Sequence, residues 1–417
     1  MKELNYDVAV IGGGVAGVCA AIASARCGAK TLIIEKNAVF GGMCTEGLVS
    51  VWCGRTNHGF FKKILADESR MKKRRRVNDP ERLKTYFFDK IEEAGADVLL
   101  HSAFTEAELE CGKIKAVILD GRGEKIKVKA SVFIDATGDG NVAAGLGASY
   151  QLGRETDNLC EPVSLIFRIG GVDDERAVYP TFGSNPELEE KMAQYVKNGL
   201  ISSPAGHVII VEGFTEGTAF VNMTNMCKIN GSDVFELTKA ELFTRKQIPE
   251  IIQFLNECVP GYENCYLLET AAYTGVRETR HIECDYCFNE EDIIAGTKFD
   301  DWIVSGAVRM FGAHSLTGSG FDEGNCELNK RYDGRPYTIP YRSIVVKGLD
   351  NLLVAGRCIC GTHAAHTSFR TMPICMALGD GAGTAAALAA GSGSNVRNID
   401  IDELHRLLKE VLDVEEV

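Results

Sequence analysis

The sequence predicts an α/β fold organised around a parallel β-sheet, and three observations lead to this prediction. The apolar run Tyr6–Ile11 is followed by a glycine-rich turn and an alanine-rich stretch. A second strand-like run, Ile126–Asp135, also ends in a turn of small residues. A third, Asn351–Gly356, precedes another long stretch of small apolar residues. Strands that alternate with helical stretches are typical of parallel sheets, whose crossover connections are usually helices.

Composition and charge narrow the class of protein. The 417 residues are 45% hydrophobic and 25% charged, which is ordinary for a globular protein and excludes a disordered or collagen-like chain. This length predicts two or three domains. A formal net charge of −13 disfavours nucleic acid as a partner, because an acidic surface repels phosphate groups. The excess of 44 glycines over 10 prolines indicates close backbone approaches rather than extended linkers.

The first βαβ unit carries a dinucleotide-binding pattern. Gly12, Gly14 and Gly17 have the spacing G-x-G-x-x-G between the first strand and the first helix. In this pattern the first glycine makes the tight turn, the second admits a pyrophosphate, and the third lets helix and strand pack closely. The phosphates then face the positive end of the helix. Glu35 ends the second strand, Thr31–Ile34, where a carboxylate accepts hydrogen bonds from ribose hydroxyls.

The remaining elements are predicted from caps and apolar runs. Asp79 with Pro80 predicts the start of a helix, and Gly95 predicts its end. We further expect strands at Val98–His101 and Ile114–Leu119, and a region of mixed strands and helices at Leu165–Arg335. A long helix is expected at Pro373–Ala390, and a short acidic helix from Asp400 onward. The polar segment Gly361–Arg370 is expected to be a loop.

Three features favour FAD over NAD as the dinucleotide. Gly41 and Gly42 lie just past Glu35, and the strand-end turn Ala136–Gly140 follows about a hundred residues later. The chain then returns to a strand and helix at Asn351–Ala390. A ligand contacted by segments so far apart in the chain suits the longer FAD molecule.

These segments together resemble the bacterial FAD-dependent oxidoreductases with a glutathione-reductase-type flavin domain, distant relatives of the fumarate-reductase flavoproteins. The resemblance runs along nearly the whole chain, through Gly12–Gly17, Gly41–Gly42, Ile134–Gly140, Gly153–Glu155, Gly275–Ile282, Asn351–Cys358 and Arg370 with the glycines of the last long helix. It implies a Rossmann-like FAD-binding domain with an inserted α+β substrate domain. The FAD contacts that it implies are Gly12, Gly14, Val15, Ala16, Gly17, Glu35, Lys36, Gly42, Met43, Ala136, Thr137, Gly138, Asp139, Gly356, Arg357, Met372 and Ile374.

The resemblance also implies a division of the chain and a reaction. Residues 1–160 and 336–417 would form the FAD-binding domain, and residues 161–335 the substrate domain. The expected activity is hydride transfer between flavin N5 and a small organic substrate. A separate electron donor or acceptor is expected, because the sequence has no second complete glycine pattern for a nicotinamide cofactor. Two alternatives stay open: a subunit or binding module with structural FAD, and a tRNA-modifying flavoprotein.

The last long helix could act on the cofactor, and its glycines have two possible roles. Pro373 fits the first turn, where no N–H is needed. If the positive end of the helix faces the flavin, it stabilises the negative charge that reduction places there. Gly379 and Gly383 are four residues apart and share a face, so they serve either cofactor contact or helix packing, and packing is slightly favoured.

Candidate catalytic residues lie just before this helix. Arg370, His366 and His363 could bind an anionic or carbonyl oxygen of the substrate and move a proton. Either histidine could instead hydrogen-bond loop carbonyls. A second group, Arg277 with Arg280 and His281, lies beside Glu278 and Glu283, so it is better explained as an inter-domain salt-bridge network than as an anion site. His314 is a weaker candidate.

The cysteines predict neither a redox pair nor a metal site. Cys44 follows the two glycines as in disulfide reductases, but the next cysteine is Cys53, so a thioredoxin-reductase-like mechanism is disfavoured. His281, Cys284 and Cys287 have a spacing suggestive of zinc but no second pair follows, and no metal is predicted.

The cysteines and the apolar runs of the sequence predict where the protein is located and whether it spans a membrane. Fifteen scattered cysteines and no visible signal peptide predict a reducing cytoplasm. The apolar runs Val8–Ala25 and Ile374–Ala390 contain several glycines each, so we expect buried elements rather than membrane spans. The basic cluster Lys72–Arg76 is expected to be a solvated surface.

Overall fold

The fold centres on one seven-stranded sheet, seen in a computed structural model that describes residues 1–69, 77–181, 183–202, 207–318 and 320–416. The basic cluster Lys72–Arg76 lies outside the described residues. The strands of the sheet are β1 (Lys2–Ile11), β2 (Thr31–Ile34), β3 (Asp97–Leu99), β4 (Ala103–Glu110), β5 (Lys113–Gly121), β6 (Glu124–Asp135) and β15 (Leu352–Val354). Strands β3, β2, β1, β6 and β15 run parallel, and β4 and β5 form an antiparallel extension.

Strand β6 joins the two parts of the sheet. Its first half pairs antiparallel with β5, for example Val128 opposite Val117. Its last three residues pair parallel with β15 instead, Phe133 opposite Leu352 and Asp135 opposite Val354. Strand β1 lies beside β6 over almost its whole length. The late strand is therefore inserted beside the ends of the earliest ones, as the Rossmann-like prediction requires.

Two helices cover the parallel strands. They are α1 (Val15–Arg26) and α10 (Met372–Ser392), both buried along most of their length. A β-carbon on Gly379 would clash with the Ala16 carbonyl, and one on Gly383 would clash with the Ala20 carbonyl. The packing role of these glycines is thus confirmed. Helix α10 is long and apolar enough to cross a membrane by length and composition alone, but 83% of its most apolar window is buried in the protein.

The helices begin and end at the capping residues that the sequence predicts. Helix α3 (Pro80–Ala94) starts with the Asp79 carboxylate accepting from the Glu81 N–H, and it ends at Gly95, whose φ is 80°. The C-terminal α11 (Ile401–Glu410) is capped by Asp400. Local side-chain chemistry sets these boundaries, because Asp caps satisfy free N–H groups and glycine adopts positive φ at little cost.

A second layer has its own core. The antiparallel sheet β11-β8-β10-β9 packs with α5 (Pro186–Lys197) and α6 (Val234–Cys258), and its strands are β8 (Phe167–Gly170), β9 (Ile210–Glu212), β10 (Thr218–Val221) and β11 (Tyr266–Thr270). Its apolar cluster draws on residues between Leu165 and Ala271, with Leu48 and Val77 added. By contrast, Ile282 and Tyr332 belong to the core of the first layer. The division of the chain at residues 160 and 335 stays a prediction. Residues between these two positions contribute to both apolar cores.

The remaining elements connect these layers. They are α2 (Gly59–Ser69), α4 (Asn141–Gly145), α7 (Glu290–Ala295), α8 (Glu323–Arg331), α9 (His363–Phe369), the strand pairs β7 (Tyr150–Leu152) with β12 (Arg280–Ile282) and β13 (Trp302–Ala307) with β14 (Tyr337–Pro340), and three 3-10 turns at Gly42–Cys44, Tyr341–Ser343 and Val396–Asn398. Helix α9 corrects one prediction, since Gly361–Arg370 was expected to be a loop. Thr362 caps this helix by accepting from the Ala365 N–H.

Candidate functional site

A cavity of about 520 Å³ opens at the carboxyl ends of the parallel strands. Residues that follow β1, β2, β6 and β15 all line it, together with the start of α10. This is the place where open α/β sheets bind ligands. The predicted FAD residues in its lining are Gly12, Gly14, Val15, Ala16, Glu35, Lys36, Gly42, Met43, Ala136, Thr137, Gly138, Asp139, Gly356, Arg357 and Met372.

The three glycines of the first turn have three different surroundings. Gly12 has a φ of 109°, and a side chain there would collide with the Ala136 carbonyl. A β-carbon on Gly17 would collide with the Gly12 carbonyl. Gly14 has no atom within 4 Å of the position of a β-carbon, and it starts α1 without a side-chain cap. The open space at Gly14 therefore lies at the start of the helix, where a pyrophosphate can accept hydrogen bonds from the free N–H groups.

Glu35 closes this end of the cavity. One carboxylate oxygen accepts from the Gly13 N–H at 2.6 Å, and the other accepts from the Asn37 N–H at 2.8 Å. The side chain thus links the end of β2 to the glycine turn. Each carboxylate oxygen has two lone-pair sites, so hydrogen bonds from ribose hydroxyls remain possible.

The turn after β6 is held by Asp135. Its carboxylate accepts four hydrogen bonds, from the N–H and hydroxyl of Thr137 and from the N–H groups of Val142 and Ala143. The neighbouring Asp139 forms an ion pair of 2.6 Å with Arg357, which follows β15. The two strand ends that line the cavity are thus joined by charge as well as by backbone pairing.

The other end of the cavity is rich in positive charge. Arg277, Arg309 and Arg370 all line it, and His314 lies beside them. The Arg370 guanidinium pairs with Glu161, with a hydrogen bond of 2.9 Å to one carboxylate oxygen. Arg277 donates to the Pro162 carbonyl and, at 2.8 Å, to the Ser164 hydroxyl. This end of the cavity therefore has three guanidinium groups, one of them paired with a carboxylate, in a protein whose net charge is −13.

Burial changes the proton affinity of two of these groups. Burial, with the nearby positive charge of Arg370, lowers the pKa of Arg277 to about 10. Burial, with the charges of Arg277 and Arg370, lowers the pKa of His314 well below its usual range. At neutral pH Arg277 is therefore charged and His314 is neutral, so the guanidinium groups set the sign of this end of the cavity.

Four predicted residues lie outside the described lining of this cavity: Gly17, Ile374, His363 and His366. Gly17 packs α1 against the turn instead, and Ile374 is fully buried. The two histidines project from α9 toward Glu278, at 2.8 Å for His363 and 3.7 Å for His366. Of the predicted catalytic residues, the structure therefore brings Arg370 alone to the cavity, because the imidazoles turn to a buried carboxylate.

Glu278 is the centre of a buried polar cluster behind the cavity wall. Besides the two histidines of α9, it contacts the Nε2 atom of His281 at 3.1 Å. Its second oxygen accepts from the Glu161 N–H at 2.7 Å. The predicted network of Arg277, Arg280 and His281 is thus divided: Arg277 lines the cavity, Arg280 donates to Asp139 and Asn141, and His281 joins Glu278.

The cysteines that the sequence singled out lie in different surroundings. Cys44 is buried, and Cys53 is exposed in the cavity lining. The thiols of Cys284 and Cys287 both lie in hydrogen-bond contact with Cys360. His281 does not complete a zinc site with them, because its ring nitrogens face Glu278 and the Gly361 carbonyl.

A parallel sheet with a glycine turn, an acidic strand end and a late strand and helix defines a dinucleotide-binding flavoprotein class. The chain matches the family "FAD dependent oxidoreductase" over residues 7–408 and belongs to that family. This confirms the predicted family and its cofactor FAD. The contacts of individual residues with FAD stay predictions.

Two curated relatives share part of the sequence. A digeranylgeranylglycerophospholipid reductase of Methanocaldococcus jannaschii is 31% identical over 36% of this chain and 43% of its own length. A fumarate reductase (cytochrome) of Shewanella frigidimarina is 38% identical over 19% of this chain and 15% of its own length. The chain thus spans less than half the length of each of these relatives.

Solved structures confirm the fold. A triple mutant of the flavin-dependent brominase Bmp2 superposes with a TM-score of 0.50 at 12% identity, covering 97% of this chain and 84% of that chain. At this level of identity the likeness concerns the architecture alone, a Rossmann-like FAD-binding domain.

Part of the basic end of the cavity has no signal in the sequence. Arg309 carried no signal, because it lies outside any recognised pattern and reaches the cavity through β13 and the segment after it. His314 was noted only as a weak candidate. Arg277 was assigned to a salt bridge, although its guanidinium finds a carbonyl and a hydroxyl.

Proposed function

We propose that the protein is an FAD-dependent oxidoreductase that transfers hydride between the flavin and a small organic anion. The observation that carries the proposal is the position of Arg277, Arg309 and Arg370 in the same cavity as the dinucleotide-binding glycines. Guanidinium groups bind carboxylate and phosphate oxygens in a fixed, often two-pronged geometry. The bound flavin would supply the hydride chemistry at its N5 atom.

The residues of the chain would orient the substrate rather than react with it. Glu161 fixes the Arg370 guanidinium, and Ser164 with the Pro162 carbonyl fixes that of Arg277. A side chain held in this way loses little further freedom when it binds a ligand, which favours accurate placement of the reacting carbon. The imidazole of His314 stays neutral beside these guanidinium groups, so it is suited to hydrogen-bond the substrate rather than to take up its proton.

The start of α10 would act on the cofactor electrostatically. Thr371, Met372 and Cys375 line the cavity, and Thr371 makes no side-chain cap to the helix. The positive end of a 21-residue helix then faces the cavity, where it stabilises negative charge. This supports the predicted role of the helix in stabilising the reduced cofactor.

The test is an anaerobic panel of small carboxylates, each compared with its amide, in which reduction or reoxidation of the bound flavin is followed by absorbance. We expect turnover with one or more carboxylates and none with the matching amide. Arg370→Ala should lower the rate at limiting substrate by at least about tenfold, the equivalent of about 1.4 kcal/mol of binding. Arg335→Ala is the control, because Arg335 is exposed and pairs with Asp333 outside the cavity. Equal rates with acids and amides would overturn the choice of an anion.

A second outcome bears on the alternative of a structural FAD. If the bound flavin is reduced by a chemical reductant but by no member of the panel, and no small molecule reoxidises it, the cofactor serves stability. We further propose a separate electron donor or acceptor and a cytoplasmic location, on the sequence observations alone: one glycine pattern and 15 cysteines.

A further inference from the structure

We propose that Glu278, His281 and His366 bind one divalent transition-metal ion, in a buried site behind the cavity wall. One ligand atom from each residue, a carboxylate oxygen and two ring nitrogens, lies within 4.8 Å of the other two. All three side chains are at most 1% exposed. The site is separate from the proposed flavin cavity, whose described lining contains none of these residues.

The hydrogen bonding of His281 prepares it as a metal ligand. Its Nδ1 atom lies 2.7 Å from the Gly361 carbonyl, which accepts hydrogen bonds and cannot donate them. Nδ1 therefore carries the proton, and in the neutral ring Nε2 keeps a lone pair. In the neutral ring that lone pair faces the Glu278 carboxylate at 3.1 Å, which is repulsive, and a metal ion bound to both atoms would remove the repulsion. Metal-binding histidines commonly donate their other N–H to a carbonyl in this way.

His366 supplies the second, independent observation. It is fully buried, and neither ring nitrogen has a hydrogen-bond partner among the residues that the structure describes. Its Nδ1 atom lies 3.7 Å from the Glu278 carboxylate, too far for a hydrogen bond and close enough for both to contact one ion. An unsatisfied buried polar group destabilises the fold, so coordination of an ion would remove that cost.

The ligand set selects the class of ion. Two imidazoles and one carboxylate are borderline ligands that suit Zn²⁺ and neighbouring first-row ions such as Co²⁺, rather than Mg²⁺ or Ca²⁺, which prefer oxygen. His363 contacts the same carboxylate oxygen at 2.8 Å, so it is available as a fourth ligand or as an outer partner of Glu278. A neutral His pair with one carboxylate also leaves the ion partly uncompensated, which a buried Zn²⁺ site tolerates when its ligands are fixed.

The ion would act on the cavity through one residue. The second oxygen of Glu278 accepts from the Glu161 N–H, and the Glu161 carboxylate holds Arg370 at the cavity. The metal would also join β12, which carries His281, to α9, which carries His366. It therefore serves as a positioning group for the basic end of the cavity and touches neither substrate nor cofactor.

The test measures metal content in the flavin-loaded protein. We would incubate the wild type with Zn²⁺, remove unbound ions, and measure zinc by mass spectrometry. About one tightly held zinc per chain is expected, and the variant His281→Gln with His366→Gln should lose it. A wild type that retains no zinc overturns the proposal, and so does a double variant that retains as much as the wild type.

A control separates this site from the thiols. The variant Cys287→Ser with Cys360→Ser removes the nearest sulfur ligands and should keep the zinc. Loading with Co²⁺ gives a second readout, because nitrogen and oxygen ligands produce visible d–d bands without thiolate charge transfer. Bound-flavin content reports whether each variant is folded. Loss of zinc in the cysteine variant, with thiolate bands in the wild type, places the ion at the cysteines and refutes the proposal.

Discussion

The carbonyl oxygen of Ala16 lies against the α-carbon of Gly379, so that the helix at the first glycine turn and the last long helix meet backbone to backbone. The same contact recurs one turn further along, between Ala20 and Gly383. Both helices begin at the cavity, at Val15 and Met372. Their close packing therefore fixes the distance between the two helix ends that line it.

Replacing Gly379 by alanine should destabilise the protein. The new β-carbon would overlap the Ala16 carbonyl, which is backbone and cannot move alone, so we expect a loss of about 2–4 kcal/mol in the free energy of unfolding. Gly391→Ala in the same helix is the control, since no atom lies within 4 Å of its β-carbon position. That variant should be neutral or gain up to about 1 kcal/mol. Denaturant unfolding measures both, and equal midpoints would contradict the packing role.

Gly14→Ala should separate cofactor binding from folding. A methyl group at Gly14 meets no protein atom, so the unfolding free energy of the flavin-free protein should change by less than about 1 kcal/mol. The methyl would occupy space that the pyrophosphate needs, and we expect FAD affinity to fall at least about tenfold in a fluorescence titration. Gly12→Ala should instead destabilise the fold itself, because its φ is 109°. Unchanged affinity in Gly14→Ala would place the phosphates elsewhere.

Asp135→Asn should lower the free energy of unfolding, although the two side chains have a similar shape. The carboxylate accepts two hydrogen bonds on each oxygen, and an amide nitrogen cannot accept any. Two donors would be left unsatisfied, at a cost of about 2–5 kcal/mol in thermal or denaturant unfolding. Asp120→Asn is the matched control, because one exposed oxygen accepts a single hydrogen bond there, from Gly123, and an amide oxygen can replace it. If both variants unfold alike, the Asp135 interactions contribute little.

FAD should protect Cys53 from alkylation. Cys53 and Cys111 are both exposed, but only Cys53 lines the cavity. Peptide mapping after brief labelling should show slower modification of Cys53 when FAD is saturating, while Cys111 reacts at the same rate in both samples. Equal labelling of Cys53 with and without FAD would show that the bound flavin leaves this part of the cavity open.

Much of the nucleotide-binding half could be predicted because its signals are local. The glycine turn, the acidic end of β2 and the caps Asp79 and Gly95 act within a few residues, so the sequence reports them directly. Strand β4 escaped prediction because it is largely exposed and rich in glutamate, and its partner β5 supplies the apolar face. Helix α9 escaped because six of its seven residues are buried, so it shows no amphipathic period.

The candidate site was harder to predict because tertiary structure assembles it. His363 and His366 looked like cavity residues by their position before α10, yet a buried Glu278 from a distant segment attracts both. Arg277 and Arg309 reach the cavity from segments that share no pattern with the glycine turn. The spacing of residues along the sequence does not show which side chains the fold brings into contact.

The late pairing of β15 with β6 has a consequence for biosynthesis. The segments that close the crevice, after β15 and at the start of α10, emerge from the ribosome long after β1 and β6 have been made. Until then the nascent chain has the glycine turn but only part of its pocket, so cofactor capture must wait for the synthesis of α10. Flavin shortage would accordingly act on chains that already contain this helix, not on shorter nascent chains.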